Sequence, residues 1–411
     1  MIQTSQSGKG SPFITATDQN GENITKPSIC IIAHNAYGAM LGGMAGHIGG
    51  AEHQTALLAK WLAGRGYPTS LLTWDEGQSD DCIIDGVRVI GISSAEAGVP
   101  GLRFFHPRTT GLFAAMRRAN ANIYYQNSAE NVTGLAAAWC QWCRRVFIYS
   151  VASDVACERK LPAMRGLRDR LLYRYGLRHA TRIIVQTHRQ ENLIKESFGL
   201  DSMPLPMPCR LPVAVRLAGN AVPPEQRVAW VGRVVPLKRM EWLLDIAARM
   251  PDVEFDVAGA NMEDAMRSPH LAGYASHLND RAKTMRNVTW HGAVSREDVI
   301  NIYCQAFCLC CTSEYEGFPN TFLEAWSQGR PTISSFDPDG LIQSRNLGSY
   351  ASTVDDFVSA IRRLLSSPDE WLRQSRNCLE YYATNHALDI AMPRFEREIV
   401  EAYRSSVDRV D

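Results

Sequence analysis

The stretch Glu316-Gly317-Phe318-Pro319-Asn320-Thr321-Phe322-Leu323-Glu324 follows a short apolar run, Phe307 to Cys311. Such a run bounded by turn residues reads as a buried strand. Gly317 and Pro319 force a turn after it. Asn320 or Thr321 then opens a helix, predicted to reach Gln328, whose first N–H groups have no partner inside the helix. The order strand, tight turn, helix is one step of a parallel α/β array. It leaves two carboxylates eight residues apart, one on the loop and one a turn into the helix. Both can flank a single ligand, with free N–H groups between them suited to phosphate.

Outward from this motif the same alternation repeats. Upstream, strands are expected at Val228–Val231, Val253–Ala258 and Val288–His291, with helices at Arg239–Met250 and Arg296–Cys304. Met240, Leu243, Leu244 and Ala247 fall on one helical face, and Ser295 with Asp298 three residues later forms an N-terminal cap signal. Downstream, a strand is expected at Thr332–Ser334, with two closing helices at about 369–383 and 390–404. A first array precedes it: strand Ser28–Ala33, helix Ala51–Ala63, strand Thr69–Thr73, a hairpin over Cys82–Ile92 turning at Asp85-Gly86, and strands Asn122–Tyr125, Val146–Ser150 and Arg182–Gln186. Between the arrays, Pro204, Pro206, Pro208, Pro212, Pro223 and Pro224 mark a linker from Leu200 to Pro224. Two doubly wound α/β domains with a cleft between them follow. Their bounds are 28–215 and 216–384, with an extension over 1–27 and a last helix in 385–411.

The 411 residues carry 43 Lys+Arg against 43 Asp+Glu, so a general nucleic-acid footprint is not expected. Eleven cysteines are too few for a disulfide scaffold. Cys304, Cys308, Cys310 and Cys311 lack the paired spacing or the histidines of a metal site, and read as core; Cys140 and Cys143 read as one helical core face. A reducing, cytoplasmic setting is expected, with no secretory leader in the polar first 27 residues.

Two further segments carry chemistry. From Pro27 to Ala51 there is no Asp, Glu, Lys or Arg, while Gly38, Gly42, Gly43, Gly46, Gly49 and Gly50 run from a strand into a helix. Glycines let backbone N–H groups approach an anion, and the helix N-terminus adds positive dipole. No Gly-Lys-Ser/Thr and no dinucleotide fingerprint is present. Gly232-Arg233-Val234-Val235-Pro236-Leu237-Lys238 follows the strand Val228–Val231, so that Arg233 and Lys238 can meet a diphosphate and offset its charge as it leaves. From Arg144 to Arg182 there are ten Arg or Lys and three acids. That stretch is either a solvated face or a contact with anionic lipid.

Taken together, the Glu-x7-Glu of Glu316 and Glu324, the Gly232-Arg233…Lys238 segment and Gly49-Gly50-Ala51-Glu52 resemble, in the same order, the retaining GT-B glycosyltransferases of family 4, in the subset that builds bacterial surface polysaccharides. The resemblance covers roughly residues 28–405. It implies a GT-B fold: two Rossmann-like doubly wound domains facing a central cleft, with the last helix crossing back to the first domain. It implies transfer of a sugar from a nucleotide-diphosphate sugar to a hydroxyl of a glycan or lipid-linked acceptor, with no cofactor and no metal. Arg233 and Lys238 would hold the diphosphate, Glu316 the donor sugar and Glu324 the ribose. Backbone N–H groups around Phe318, Asn320 and Thr321, and at Gly49 and Gly50, would hold sugar and phosphates. Many family members carry a histidine after the strand equivalent to Val146–Ser150. This chain has Val151-Ala152-Ser153-Asp154 instead, which leaves Asp154 as the candidate acceptor contact or a helix cap. An epimerase or phosphorylase on the same plan, and a catalytically silent binding partner, remain as alternatives.

Overall fold

A computed structural model describes residues 15–17, 23–42, 49–79, 81–162, 164, 166–210, 226–259 and 269–408. Gly43 and Gly46 of the glycine segment and Pro212, Pro223 and Pro224 of the linker lie outside the described residues.

A two-stranded antiparallel ribbon, β1 (Thr15–Thr17) and β2 (Asn23–Thr25), precedes the first large sheet. That sheet holds β3 (Ile29–Ile32), β4 (Thr69–Thr73), β5 (Cys82–Ile84), β6 (Val87–Gly91), β7 (Ile123–Asn127), β8 (Val146–Ser150), β9 (Arg182–Val185) and β10 (Met203–Pro204) in the order β10-β9-β8-β7-β3-β4-β6-β5. Only β5 runs antiparallel, through the hairpin turn at Asp85 and Gly86, whose φ angles are +48° and +78°. The second sheet holds β11 (Arg227–Val231), β12 (Glu254–Ala258), β13 (Val288–Gly292), β14 (Cys308–Cys311), β15 (Thr332–Ser334) and β16 (Gly348–Tyr350) in the all-parallel order β13-β12-β11-β14-β15-β16. Every residue of β3, β7, β8 and β14 is buried. Helices cover both faces of such sheets, so the strands are apolar runs rather than alternating ones.

Both sheets reverse strand order once: between β3 and β7 in the first, between β11 and β14 in the second. Ligands in open α/β sheets sit beyond the carboxyl ends of strands at such a reversal. The residues that follow β11 and β14 are Gly232–Lys238 and Thr312–Pro319. The residues that follow β3 and β7 lead into His34 and Glu130.

The helices that position the site follow in chain order. They are α1 (Tyr37–Met40), α2 (Gly50–Gly64), α3 (Thr110–Ala119), α4 (Asn131–Trp142), α5 (Leu167–His179), α6 (His188–Phe198), α7 (Met240–Arg249), α8 (Pro269–Lys283), α9 (Arg296–Gln305), α10 (Asn320–Ser327), α11 (Leu341–Ser344), α12 (Val354–Leu365), α13 (Pro368–Asn385) and α14 (Leu388–Val407). Ser295 caps α9 by accepting from Asp298 N at 3.1 Å, as its spacing predicts. α14 returns to the first sheet and packs on β8 and α2. There Glu396 accepts hydrogen bonds from Trp61 Nε1 (3.3 Å), Arg65 Nε (3.3 Å) and Tyr67 OH (3.0 Å). The chain leaves the first half beside its point of return: Cys209 N donates to His386 O (2.8 Å), and Tyr382 OH donates to Cys209 O (2.9 Å).

Two expectations need correction. Pro204 stands in β10, an edge strand, where its missing N–H costs no ladder bond. Cys140 is buried but Cys143, one residue past α4, is exposed, so the pair does not share a core face. The two expected closing helices stand as α13 and α14, and a further helix, α12, precedes them. α12 buries Phe357, Ala360, Ile361 and Leu364 and starts at a capping box between Thr353 and Asp356. Among the described residues no helix is long and apolar enough to cross a membrane.

Candidate functional site between the two sheets

The loops after β11 and β14 are bound to each other. Arg239, at φ +46°, sends its guanidinium to Thr312 O (2.8 Å), Ser313 O (3.0 Å) and Ser335 Oγ (3.0 Å). Thr312 Oγ1 donates to Lys238 O (2.6 Å), and Glu314 N to Leu237 O (2.9 Å). This stitching brings Lys238 Nζ onto Glu316 Oε1 in a partly shielded ion pair. The residue assigned to the diphosphate and the one assigned to the donor sugar thus hold each other. Arg233 is exposed and makes no side-chain bond among the described residues.

The glycine–proline turn is pressed against the first half. A Cβ on Gly317 would lie 2.5 Å from Ala152 O and 2.8 Å from Gln186 Oε1, so only glycine fits. Phe318 N donates to that same Gln186 oxygen (2.8 Å). The Phe318 ring is buried, 5.2 Å from the His386 ring and 6.1 Å from that of Trp326. Its side chain therefore belongs to the core; what it offers a ligand is backbone.

Two helix N-termini face each other across the cleft. α10 begins at Asn320 after Pro319, and α2 begins at Gly50 after an extended Gly49; neither start has a side-chain cap. Gln54 Nε2 bridges them, donating to Asn320 Oδ1 (2.8 Å) and to Pro208 O (2.9 Å). A Cβ on Gly50 would lie 2.5 Å from Asn320 Nδ2, so a larger residue here would turn the Asn320 amide aside. Half-buried Thr321 makes no side-chain bond among the described residues. N–H groups without a side-chain cap at two neighbouring helix starts favour an anion here, in competition with the Glu52 carboxylate, which lies beside Gly49.

Glu324 does not stand free in the cleft. It is buried, with Oε1 3.0 Å from Arg296 Nη2 and Oε2 3.5 Å from Tyr303 OH. Burial raises its pKa, and Arg296 opposes the rise. His53, next along α2 from Glu52, is kept neutral with a pKa of about 3 by burial and by the nearby charges of Arg296, Lys60 and Arg210. Asp154 is also engaged on both oxygens, with Arg189 Nε and Gln190 Nε2 each at 3.0 Å. It caps no helix through its side chain but ties the loop after β8 to α6. Asp339 of the second half accepts from His188 N (2.8 Å) and Arg189 N (2.9 Å) at the start of α6. Beside Asp154 lies a cavity of about 600 Å³, lined from the first half by Asp154 and Arg189 and from the second by Glu314, Tyr315 and Asp337. That volume suits a bound metabolite.

Gln54, Gln186, Arg296 and Asp339 carry no local sequence signal, because each acts on a partner far along the chain. Among the described residues, no group of three or more His, Cys, Asp or Glu could hold a metal ion. The basic stretch does not form one face. Arg145 bonds Asn120 (2.9 Å), Arg174 bonds Arg159 O (2.8 Å), and Arg182 turns to Glu398 of α14 (3.7 Å).

Residues 49–208 match the family described as Glycosyl transferase 4-like domain, and residues 225–367 that described as Glycosyl transferases group 1. A D-inositol 3-phosphate glycosyltransferase of Mycobacterium sp. (strain KMS) is 32% identical over 158 residues, 36% of this chain and 35% of the relative. This chain thus matches about a third of that relative's length. The fold is similar to that of sucrose-phosphate synthase from Thermosynechococcus elongatus (TM-score 0.72, 16% identity, 92% of this chain and 100% of that one). It is also similar to Anabaena HepE in complex with UDP and glucose (TM-score 0.68, 13% identity, 91% and 99%). By its two matched domains, which together cover 49–208 and 225–367, and by its architecture, the chain belongs to the glycosyltransferases of the GT-B fold.

Proposed function

We propose that this protein transfers a sugar from a nucleotide-diphosphate donor to a hydroxyl of a glycan or lipid-linked acceptor, with retention of configuration, in building a surface polysaccharide or glycoconjugate. The observation that carries this reading is the pairing of two uncapped helix N-termini, at Gly49–Gly50 and Asn320, beside the loop that holds the Lys238–Glu316 pair. A diphosphate satisfies the free N–H groups, and Lys238 and the exposed Arg233 offset the charge that grows on it as the sugar departs. Glu316, bound to Lys238, orients the sugar. The acceptor attacks from the face that the diphosphate leaves, and the leaving phosphate takes its proton. Glu324 holds the ribose once Arg296 shares it. The two domain families and the UDP and glucose bound by HepE support the donor class. No residue here is assigned as a covalent nucleophile, and no metal is assigned a role.

The test is a panel of nucleotide sugars scored by thermal stabilisation, then by release of nucleoside diphosphate with glycan acceptors. A ligand at 100 times its Kd adds about 2.7 kcal/mol of stability. One class of nucleotide sugar should stabilise the chain and be turned over only with acceptor present. Turnover of donor alone to an isomeric sugar nucleotide would make the chain an epimerase.

A further inference from the structure

The cavity of about 600 Å³ beside Asp154 is not used by the donor chemistry. It opens between the halves, beyond the carboxyl ends of β8 and β9 on one side and of β14, β15 and β16 on the other. Gly49, Gly50, Arg233 and Lys238, assigned above to the diphosphate, do not line it. The loop of Glu316 reaches it through the preceding residue, Tyr315.

Its charge is one-sided. Asp154, Glu158, Glu314 and Asp337 line it against a single cation, Arg189. Two of these carboxylates are committed: Asp154 to Arg189 Nε and Gln190 Nε2, each at 3.0 Å, and Asp337 to Ile342 N at 2.8 Å. The first of these pairings also offsets the charge of Arg189. Glu158 and Glu314, one from each half, are exposed, and their side chains make no bond among the described residues. Arg159 and Lys160, next in the chain after Glu158, do not line the cavity. Two rings complete the lining: Tyr315 and Tyr350 are 41% and 48% exposed. Each part selects an occupant. Ionised carboxylates only accept hydrogen bonds, so the occupant must bring hydroxyl or N–H donors. A tyrosine offers an apolar face with a hydroxyl at its tip, and that face attracts a cation. An anion meets like charge and is repelled.

We propose that this cavity takes a sugar unit of the acceptor that carries no phosphate or carboxylate, and that an amine-bearing sugar is preferred there to a neutral one. The acceptor is then gripped by the second half as well as the first, through Glu314, Tyr315 and Tyr350. The opposite preference belongs to the helix starts at Gly49–Gly50 and Asn320, so the cleft sorts an anionic donor from a non-anionic acceptor by charge. That the occupant is the acceptor rests on the glycosyl-transfer reading; the charge preference of the cavity does not.

The test is titration of the full chain, by NMR in slightly acidic buffer, with glucosamine, glucose and glucose 6-phosphate, which share a ring and differ in charge. Glucosamine should bind best and glucose 6-phosphate worst, with a gap of roughly tenfold between them that narrows in high salt. The double variant Glu158→Gln, Glu314→Gln should lose most of that gap and keep its thermal midpoint, because both side chains are exposed. Tyr350→Ala should weaken glucosamine and glucose alike. Glu254→Gln removes an exposed carboxylate at the amino end of β12, outside the cavity, and should keep the gap. With the donor that the nucleotide-sugar panel identifies, the double variant should raise the acceptor KM and leave the donor KM. Tighter binding of glucose 6-phosphate, binding of none of the three sugars, or an unchanged gap in the double variant would each overturn the cavity's preference. A rise in donor KM alone would overturn its assignment to the acceptor. Failure of every nucleoside diphosphate to stabilise the wild type would instead sink the donor reading and leave the ranking of the sugars standing.

Discussion

Gly317→Ala perturbs the site at its tightest point. The new methyl would lie 2.5 Å from Ala152 O and 3.2 Å from Ala152 C, against an ordinary contact of 3.4 Å or more. The Gln186 side chain, at 2.8 Å, can turn aside, though only by giving up its bond to Phe318 N. The Ala152 carbonyl is backbone, two residues past the buried strand β8, and cannot turn aside in that way. Relief therefore needs a shift of roughly 0.9 Å in the loop that carries Glu316, the difference between those two distances. Misplacement of about 1 Å is enough to cost on the order of 100-fold in turnover, while forced overpacking costs about 1–3 kcal/mol of stability. The assay is release of nucleoside diphosphate beside urea unfolding. Gly64→Ala, where a Cβ meets nothing within 4 Å, is the control and should be neutral or slightly stabilising. If Gly317→Ala turns over donor and unfolds like the wild type, the loop is not confined by the first half and the close approach has no bearing on catalysis.

Glu316→Gln should lower kcat by on the order of 10²–10³ by removing the carboxylate charge beside the reacting sugar, whereas Glu324→Gln should raise the donor KM with little change in kcat; the reverse pattern in donor titrations would exchange their roles. Turnover should survive EDTA, because Lys238, Arg233 and two helix N-termini supply the positive charge; loss on chelation with rescue by Mg²⁺ would contradict that assignment. Stability should fall as pH drops from 6.5 toward 4. Burial lowers the His386 pKa to about 4, so the unfolded chain takes up a proton that the folded chain refuses, and Nε2 has no buried acceptor for it. This should cost roughly 2 kcal/mol by pH 5. Urea midpoints of the wild type and of His386→Gln check it: an equal pH slope in both would remove His386 as the cause.

Much of the architecture was legible because buried parallel strands are continuous apolar runs. Val146–Ser150 and Cys308–Cys311 declare themselves that way, and Gly317 and Pro319 place the turn before α10. What stayed hidden is what depends on partners distant in sequence. Lys238 and Glu316 are 78 positions apart, and Gln54 and Asn320 are 266 apart. No periodicity encodes either contact. Asp154 looked free because its partners, Arg189 and Gln190, sit on another helix. The helix Val354–Leu365 is a different case, since its capping box and its Phe357, Ala360, Ile361, Leu364 stripe are written locally. The edge strand at Pro204 runs against a rule that holds for inner strands alone.

The central claim is that the cleft beside Lys238 holds the diphosphate of a nucleotide donor, and calorimetric titration of UDP tests it most directly. UDP should bind the wild type, uridine should bind far more weakly, and Lys238→Ala should abolish the difference between the two while leaving the chain folded. Equal affinity for UDP in the wild type and in Lys238→Ala, or no binding of any nucleoside diphosphate by the folded wild type, would contradict it.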